Sequence, residues 1–227
     1  MMVTMTNTAR RQALARMLGL LVAAASTMLA MPAHAGAEES VAALQSEWEQ
    51  IKYRQPADRQ ERAFEALAKK AAAVRSEFRD RADVDIWYAI VLASHAGARG
   101  GLGALSLARE AKGALEQAIA RDPRALEGSA YTSLGSLYYQ VPGWPIGFGD
   151  KDKARELLAR ALAINPRGID PNFFMGDFLY RTGDYAGAKR SLELALQAAA
   201  RPARPLADEG RRREVEALLA LVKQKLD

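Results

Sequence analysis

One set of intervals occurs three times in this sequence and limits what it can fold into. Ala111, Leu115, Ala118 and Pro123 are separated by four, three and five residues, and Ala154, Leu158, Ala161 and Pro166 repeat that spacing. Ala188, Leu192 and Ala195 begin it again, with the proline displaced to Pro202. Steps of four and three put each Ala-Leu-Ala set on one face of a helix. The proline that follows ends that helix. A second register precedes the first. Trp87, Ile90, Val91 and Ser94 match Tyr131, Leu134, Gly135 and Tyr138, which match Asn172, Met175, Gly176 and Leu179. Two helices per unit, repeated, describe hairpins that cover their apolar faces only by stacking on one another.

The rest of the chain agrees with an all-α reading. No stretch of useful length shows the two-residue alternation of a half-buried strand. Helical periodicity predicts helices over Val41 to Tyr53, Asp58 to Phe78, Asp85 to Ala96, Ala104 to Arg121 and Glu127 to Gln140. It continues over Asp150 to Ile164, Pro171 to Arg181, Tyr185 to Ala200 and about Ala207 to Leu226. Glycines at 97, 100, 101 and 103 are expected to open a loop. The expected fold is all-α: stacked antiparallel helical hairpins, an α-solenoid, with a C-terminal capping helix.

On these residues the sequence resembles the tetratricopeptide repeat, whose unit of ~34 residues places a Gly in its first helix and Ala, an aromatic or Leu, Ala and Pro along its second. Ile169 to Pro202 fits best, through Gly176, Tyr185, Ala188, Leu192 and Ala195. Gly128 to Pro166 fits with about seven extra residues between its helices. Val84 to Pro123 carries Trp87 but no matching Gly. The expected organisation is a leader over 1–35, a helical pair over 36–83, three repeats over 84–202 and a cap over 203–227. The resemblance implies that the first helix of each pair lines a concave groove. It would place Asp85, Tyr88, Leu92, His95 and Ala96, then Ser129, Thr132, Ser136, Tyr139 and Gln140, then Asp170, Phe173, Asp177, Tyr180 and Arg181 on the inward side. These residues are mostly aromatic or neutral. Asp177 lies in mid-helix among aromatics, where capping does not explain it.

Location is written at the N-terminus. Arg10, Arg11 and Arg16 precede the apolar run Met17 to Met31, and Ala33-His34-Ala35 is an A-x-A cleavage site. The run is about 15 residues, short of the ~20 that span a bilayer. A signal peptide cleaved after Ala35 and a periplasmic protein are expected. With no Cys, the chain is not a lipoprotein, and disulfides, thiolate metal sites and cysteine nucleophiles are excluded. Without the leader, 29 Lys+Arg face 27 Asp+Glu, which is no nucleic-acid signature. Arg211-Arg212-Arg213 is expected to be a solvated face with local ion pairs.

Chemistry is scarce. Only two His occur, and His34 belongs to the leader. His95 has no nominated nucleophile or orienting carboxylate, so no catalytic, cofactor-binding or metal residue is assigned and no enzyme is expected. The glycine run at 97–103 lacks the Gly-Lys-Ser/Thr of a phosphate loop. The paired glycine-rich turns look like those of the periplasmic T-component proteins associated with TRAP transporters. That resemblance implies an accessory of solute uptake that docks on a periplasmic solute-binding protein. Candidate partner-binding residues are Tyr88, His95, Thr132, Ser136, Tyr139, Gln140, Trp144, Phe148, Phe173, Asp177, Tyr180 and Arg181, and self-association is left open. The alternative is a binder of an apolar small molecule in an aromatic-lined groove. Prolines and glycines forbid helix across Val141 to Asp150. Its Trp144, Ile146 and Phe148 are expected to pack mainly against the protein itself and shape one end of the groove, with at least one aromatic edge left for the ligand or partner.

Overall fold

The computed structural model describes residues 32–227, so residues 1–31 of the expected leader lie outside the described residues. The chain divides into two units, and the hairpin stack lies in the second, Ser40–Asp227. Among the described residues there are nine α-helices: α1 (Pro32–Arg54), α2 (Ala57–Glu77), α3 (Ala82–Arg99), α4 (Gly101–Arg121), α5 (Ser129–Gln140), α6 (Lys151–Ile164), α7 (Ile169–Thr182), α8 (Tyr185–Leu196) and α9 (Pro205–Lys223). No described helix is long and apolar enough to cross a membrane.

The repeated intervals form the centre of the stack. Ala111, Leu115, Ala118, Ala154, Leu158, Ala161, Ala188, Leu192 and Ala195 have no exposed surface at all. The two repeat glycines make the same contact in successive hairpins. A Cβ on Gly135 would lie 2.8 Å from Leu158 Cγ, and one on Gly176 would lie 2.8 Å from Leu192 Cγ and Cδ2. Short side chains let the paired helices approach, and the buried Leu of the second helix fills the space beside each Gly.

The turns have their own chemistry. Gly183 takes φ +88 after α7, and the Asp184 carboxylate accepts from Gly187 N–H at 2.8 Å to open α8. Asn172, 1% exposed, donates to the carbonyls of Pro166 and Gly168 at 3.0 and 2.9 Å, which ties the turn into α7. The expected loop at 97–103 does not form. α3 continues to Arg99, and the chain reverses on Gly100 and Gly101, at φ +66 and +61. Gly97 and Gly103 are helical, since an interior Gly costs only about 1 kcal/mol. α5 opens two residues later than its sequence suggests. Leu126 and Glu127 take left-handed φ of 46 and 55 in the turn before it.

The arginine run is not a solvated face. Arg211 is 8% exposed, with its guanidinium 4.4 Å from the Phe173 ring centroid, and it donates to Asp170 at 2.8 Å. Arg212 caps α8 by donating to the carbonyls of Leu196 and Ala198, both at 2.6 Å. Only Arg213 pairs at the surface, with Glu209. α9 therefore covers α8 and α7, as a cap should, and it also reaches the first hairpin. Arg204 donates to Glu49 at 2.6 Å and lies 4.9 Å over the Trp87 ring, and Tyr53 OH donates to Glu214 at 3.4 Å. The two ends of the stack meet.

Candidate functional site

Hairpin stacking sets the first helices side by side, and two of them carry a polar cluster between their C-terminal ends. Tyr139 of α5 donates its OH to Asp177 of α7 at 2.7 Å, and Arg181 donates to both Asp177 oxygens at 3.0 Å. Gln140 donates to the Tyr139 oxygen at 3.4 Å, and the Arg181 guanidinium lies 5.7 Å from the Tyr139 ring. Burial, then the Asp177 charge, push the Tyr139 phenol well above its ordinary range, so it stays a neutral donor. Asp177 is explained: it joins two neighbouring repeats. Gln140 and Arg181 remain exposed on that cluster.

Other expected inward residues are engaged within the stack. Phe173 packs edge-on against Phe174 under the Arg211 guanidinium, and Tyr180 packs against Tyr185 with ring centroids 5.8 Å apart. Thr132 is buried, and Ser136 donates back to the Ser133 carbonyl. Tyr88 is 6% exposed, its OH donating to Glu110 and its ring under the Arg75 guanidinium. Burial, followed by the Glu110 hydrogen bond, pushes its phenol up to about 12. His95 is 4% exposed with Nδ1 unpartnered among the described residues. Burial and Arg99 hold its imidazole below the ordinary value, against Glu65 and Glu61 of α2. His95 is thus inside the stack, and Tyr88 is covered except for a narrow edge. Asp85, 1% exposed, takes Arg75 and Arg121 as partners and fastens α3 to α2 and α4.

The segment after α5 departs from expectation. Phe148 does turn back, its ring 5.5 Å from Tyr138 and 5.9 Å from Lys112 Nζ. Trp144 does not: it is 90% exposed, and Ile146 is 59% exposed. The loop that carries them is closed by backbone hydrogen bonds. Gly149 N–H donates to the Pro142 carbonyl at 2.9 Å, Gly147 N–H to Gly143 at 3.1 Å and Asp150 N–H to Tyr138 at 2.8 Å. A Cβ on Gly147 or Gly149 would strike the carbonyls of Pro142 or Val141, so glycine permits this closure. Three aromatic or aliphatic side chains in five residues flagged the loop in sequence. Their directions depend on a closure that spacing does not encode. Trp144→Ala is expected to leave the melting temperature nearly unchanged, within about 0.5 kcal/mol, because the indole buries almost nothing. Thermal unfolding followed by circular dichroism checks this.

A sequence profile described as a tetratricopeptide repeat matches residues 146–207. A thermophilic TPR protein of Thermus thermophilus has a similar structure, with 22% identity over 72% of this chain and 83% of that one, at a TM-score of 0.50. The fold is that of a tetratricopeptide-repeat protein. Weaker structural similarity extends to MamA, with 17% identity, 74% and 91% coverage and a TM-score of 0.42. It extends also to pilF of Pseudomonas aeruginosa, with 18% identity, 84% and 93% coverage and a TM-score of 0.34. A search of curated proteins finds no match. The tetratricopeptide-repeat profile begins at Ile146, inside the loop, and reaches Ala207 in α9. It spans the α6 and α7–α8 segments in which Gly176 meets Leu192. The stacked helices of this fold carry the loop with the exposed Trp144.

Proposed function

We propose that this chain is an exported, non-enzymatic scaffold that holds a protein or peptide partner. The observation that carries the reading is Trp144, 90% exposed beside Ile146 at 59%, on a loop fixed by its own hydrogen bonds. A large apolar side chain kept in water by an ordered backbone is the profile of an interface anchor, and Trp is among the residues most enriched in such anchors. Gln140, the last residue of α5, adjoins the loop in sequence and shares its polar cluster with Arg181 of α7. The deciding experiment is binding with Trp144→Ala. Lost partner binding at unchanged melting temperature supports the reading, and retained binding refutes it. Use of an apolar small molecule finds little support, because Tyr139, Phe173 and Tyr88 are each engaged by Asp177, Arg211 and Glu110.

In its specific form the scaffold is periplasmic and serves TRAP-type solute uptake, docking on a solute-binding protein. The basic, apolar and A-x-A segments of the leader and the T-component-like turns support this form. Mass spectrometry of the exported protein is expected to find Gly36 at the N-terminus. An intact residue 1–35 segment in the membrane fraction would contradict it.

A further inference from the structure

The exposed loop has a counterpart on the same molecule. An open hollow of ≈ 340 Å³ is lined by Ala72, Arg75, Ser76 and Arg79 of α2 and its C-terminal turn, with Tyr88 of α3. Arg75 is already committed, donating to Asp85 at 2.6 Å and to Gln117 at 2.8 Å. Arg79 is not. Its Nε donates to the Ser76 carbonyl at 3.1 Å, which holds the root of the guanidinium, and no carboxylate among the described residues pairs with the remainder. The hollow thus offers a tethered cation, the Ala72 methyl and the aliphatic stem of an arginine.

Topology keeps loop and hollow apart in one copy. Antiparallel hairpins place their internal turns on one edge of the stack and the turns between hairpins on the other. The Trp144 loop joins the helices of the α5–α6 hairpin, whereas the hollow sits toward the turn that joins α2 to α3. The two features lie toward opposite edges, so Trp144 cannot reach the hollow of its own chain. Copies stacked edge to edge bring the loop of one toward the hollow of the next.

We propose that the hollow at Arg79 of a second copy receives Trp144, giving a head-to-tail assembly. An indole face is the best aromatic partner for a guanidinium, and the gain grows as water is excluded. Charge around the loop favours a protein receptor over a lipid surface. Asp150, Lys151, Asp152 and Lys153 alternate in sign and form no cationic rim that would draw the loop to anionic lipid. Because the two contacting surfaces differ, each added copy leaves one free loop and one free hollow, and assembly continues unless rotation closes a ring. The inference rests on the loop being a protein contact.

The test uses the full chain and its variants in sedimentation velocity over a wide concentration range, with acrylamide quenching of tryptophan emission. Trp48 and Trp87 are 8% and 3% exposed, so quenchable emission reports Trp144. The wild type is expected to grow past a dimer as concentration rises, with quenchable emission falling in step. Trp144→Ala and Arg79→Glu, each checked for native helical content, are expected to weaken association at least ~30-fold. Mixed together they are expected to form a one-to-one pair and nothing larger, because one keeps the hollow and the other keeps the indole. A wild type that stays monomeric with Trp144 quenchable throughout overturns the inference. So does a mixture of folded variants that forms no pair. Shielding of Trp144 by a different protein would also overturn it while leaving the loop a protein contact. Shielding by neutral phosphatidylcholine vesicles instead would overturn both.

Discussion

Gly176→Leu should lower stability by at least ~1–3 kcal/mol, whereas Gly113→Ala should raise it by up to ~1 kcal/mol. Both glycines are helical, and propensity alone assigns them the same sign. Their surroundings reverse it. A Cβ at Gly176 meets two atoms of Leu192 at 2.8 Å and the Ala188 carbonyl at 3.5 Å, while a Cβ at Gly113 meets nothing within 4 Å. Leu192 has no exposed surface, so it cannot swing aside without moving the buried residues around it. Gly135 faces Leu158 in the same way and should behave like Gly176. Urea denaturation of the single variants measures the difference, and a more stable Gly176→Leu would refute the repeat register. If the hairpins melt together, the loss appears in the whole transition, and if not, it appears first in α7 and α8.

These contacts were legible in sequence because the stack depends on small and branched side chains at fixed intervals. A missing Cβ at 135 and 176 and the Ala-Leu-Ala sets are written directly in the residues. What could not be read depends on directions and on long-range contacts. Gly100 and Gly101 alone reverse the chain, yet Gly97 and Gly103 carry the same composition signal while lying in helix. Trp144 and Phe148 are four residues apart and point to solvent and to Tyr138, respectively. Their fates diverge because Gly147 and Gly149 let the backbone fold tightly onto Pro142 and Val141. The inward register supplied by the repeat brought Tyr139, Asp177 and Arg181 into one cluster. It did not foresee that Tyr88 and His95 would be covered. Nor did a local ion-pair reading of Arg211 to Arg213 foresee Asp170, a partner 41 residues upstream of Arg211.

Those distant partners set the other large effect. Asp170→Ala is expected to destabilise the protein by about 3 kcal/mol, near the lower end for breaking a buried pair, since Asp170 keeps 30% of its side-chain surface. Asp170 accepts from Arg211 and from Arg201, both at 2.8 Å, and its removal leaves Arg211 almost buried with Glu214 as its remaining carboxylate partner among the described residues. Replacing both charges should cost less than the single change. Arg211 already lies over Phe173 and Phe174, and a methionine there keeps apolar contact with both rings. The Asp170→Ala, Arg211→Met cycle should therefore show a coupling of at least ~1 kcal/mol. Acid provides an independent readout. Burial raises the Asp170 carboxyl, but Arg211 and Arg201 more than offset it, and the group sits below its ordinary value. Its contribution is thus fully present above the unfolded carboxyl range near pH ~4 and is lost as pH falls through the lower folded value. Asp170→Ala should remove that part of the acid sensitivity. The loss should concentrate in α9, which holds Val215 and Val222 fully buried and, with Arg204 just before it, links α7 to Tyr53 and Glu49 of the first hairpin. Hydrogen exchange in Asp170→Ala is expected to speed up first in α9, and uniform acceleration over all hairpins would show that α9 does not hold the two ends of the stack together.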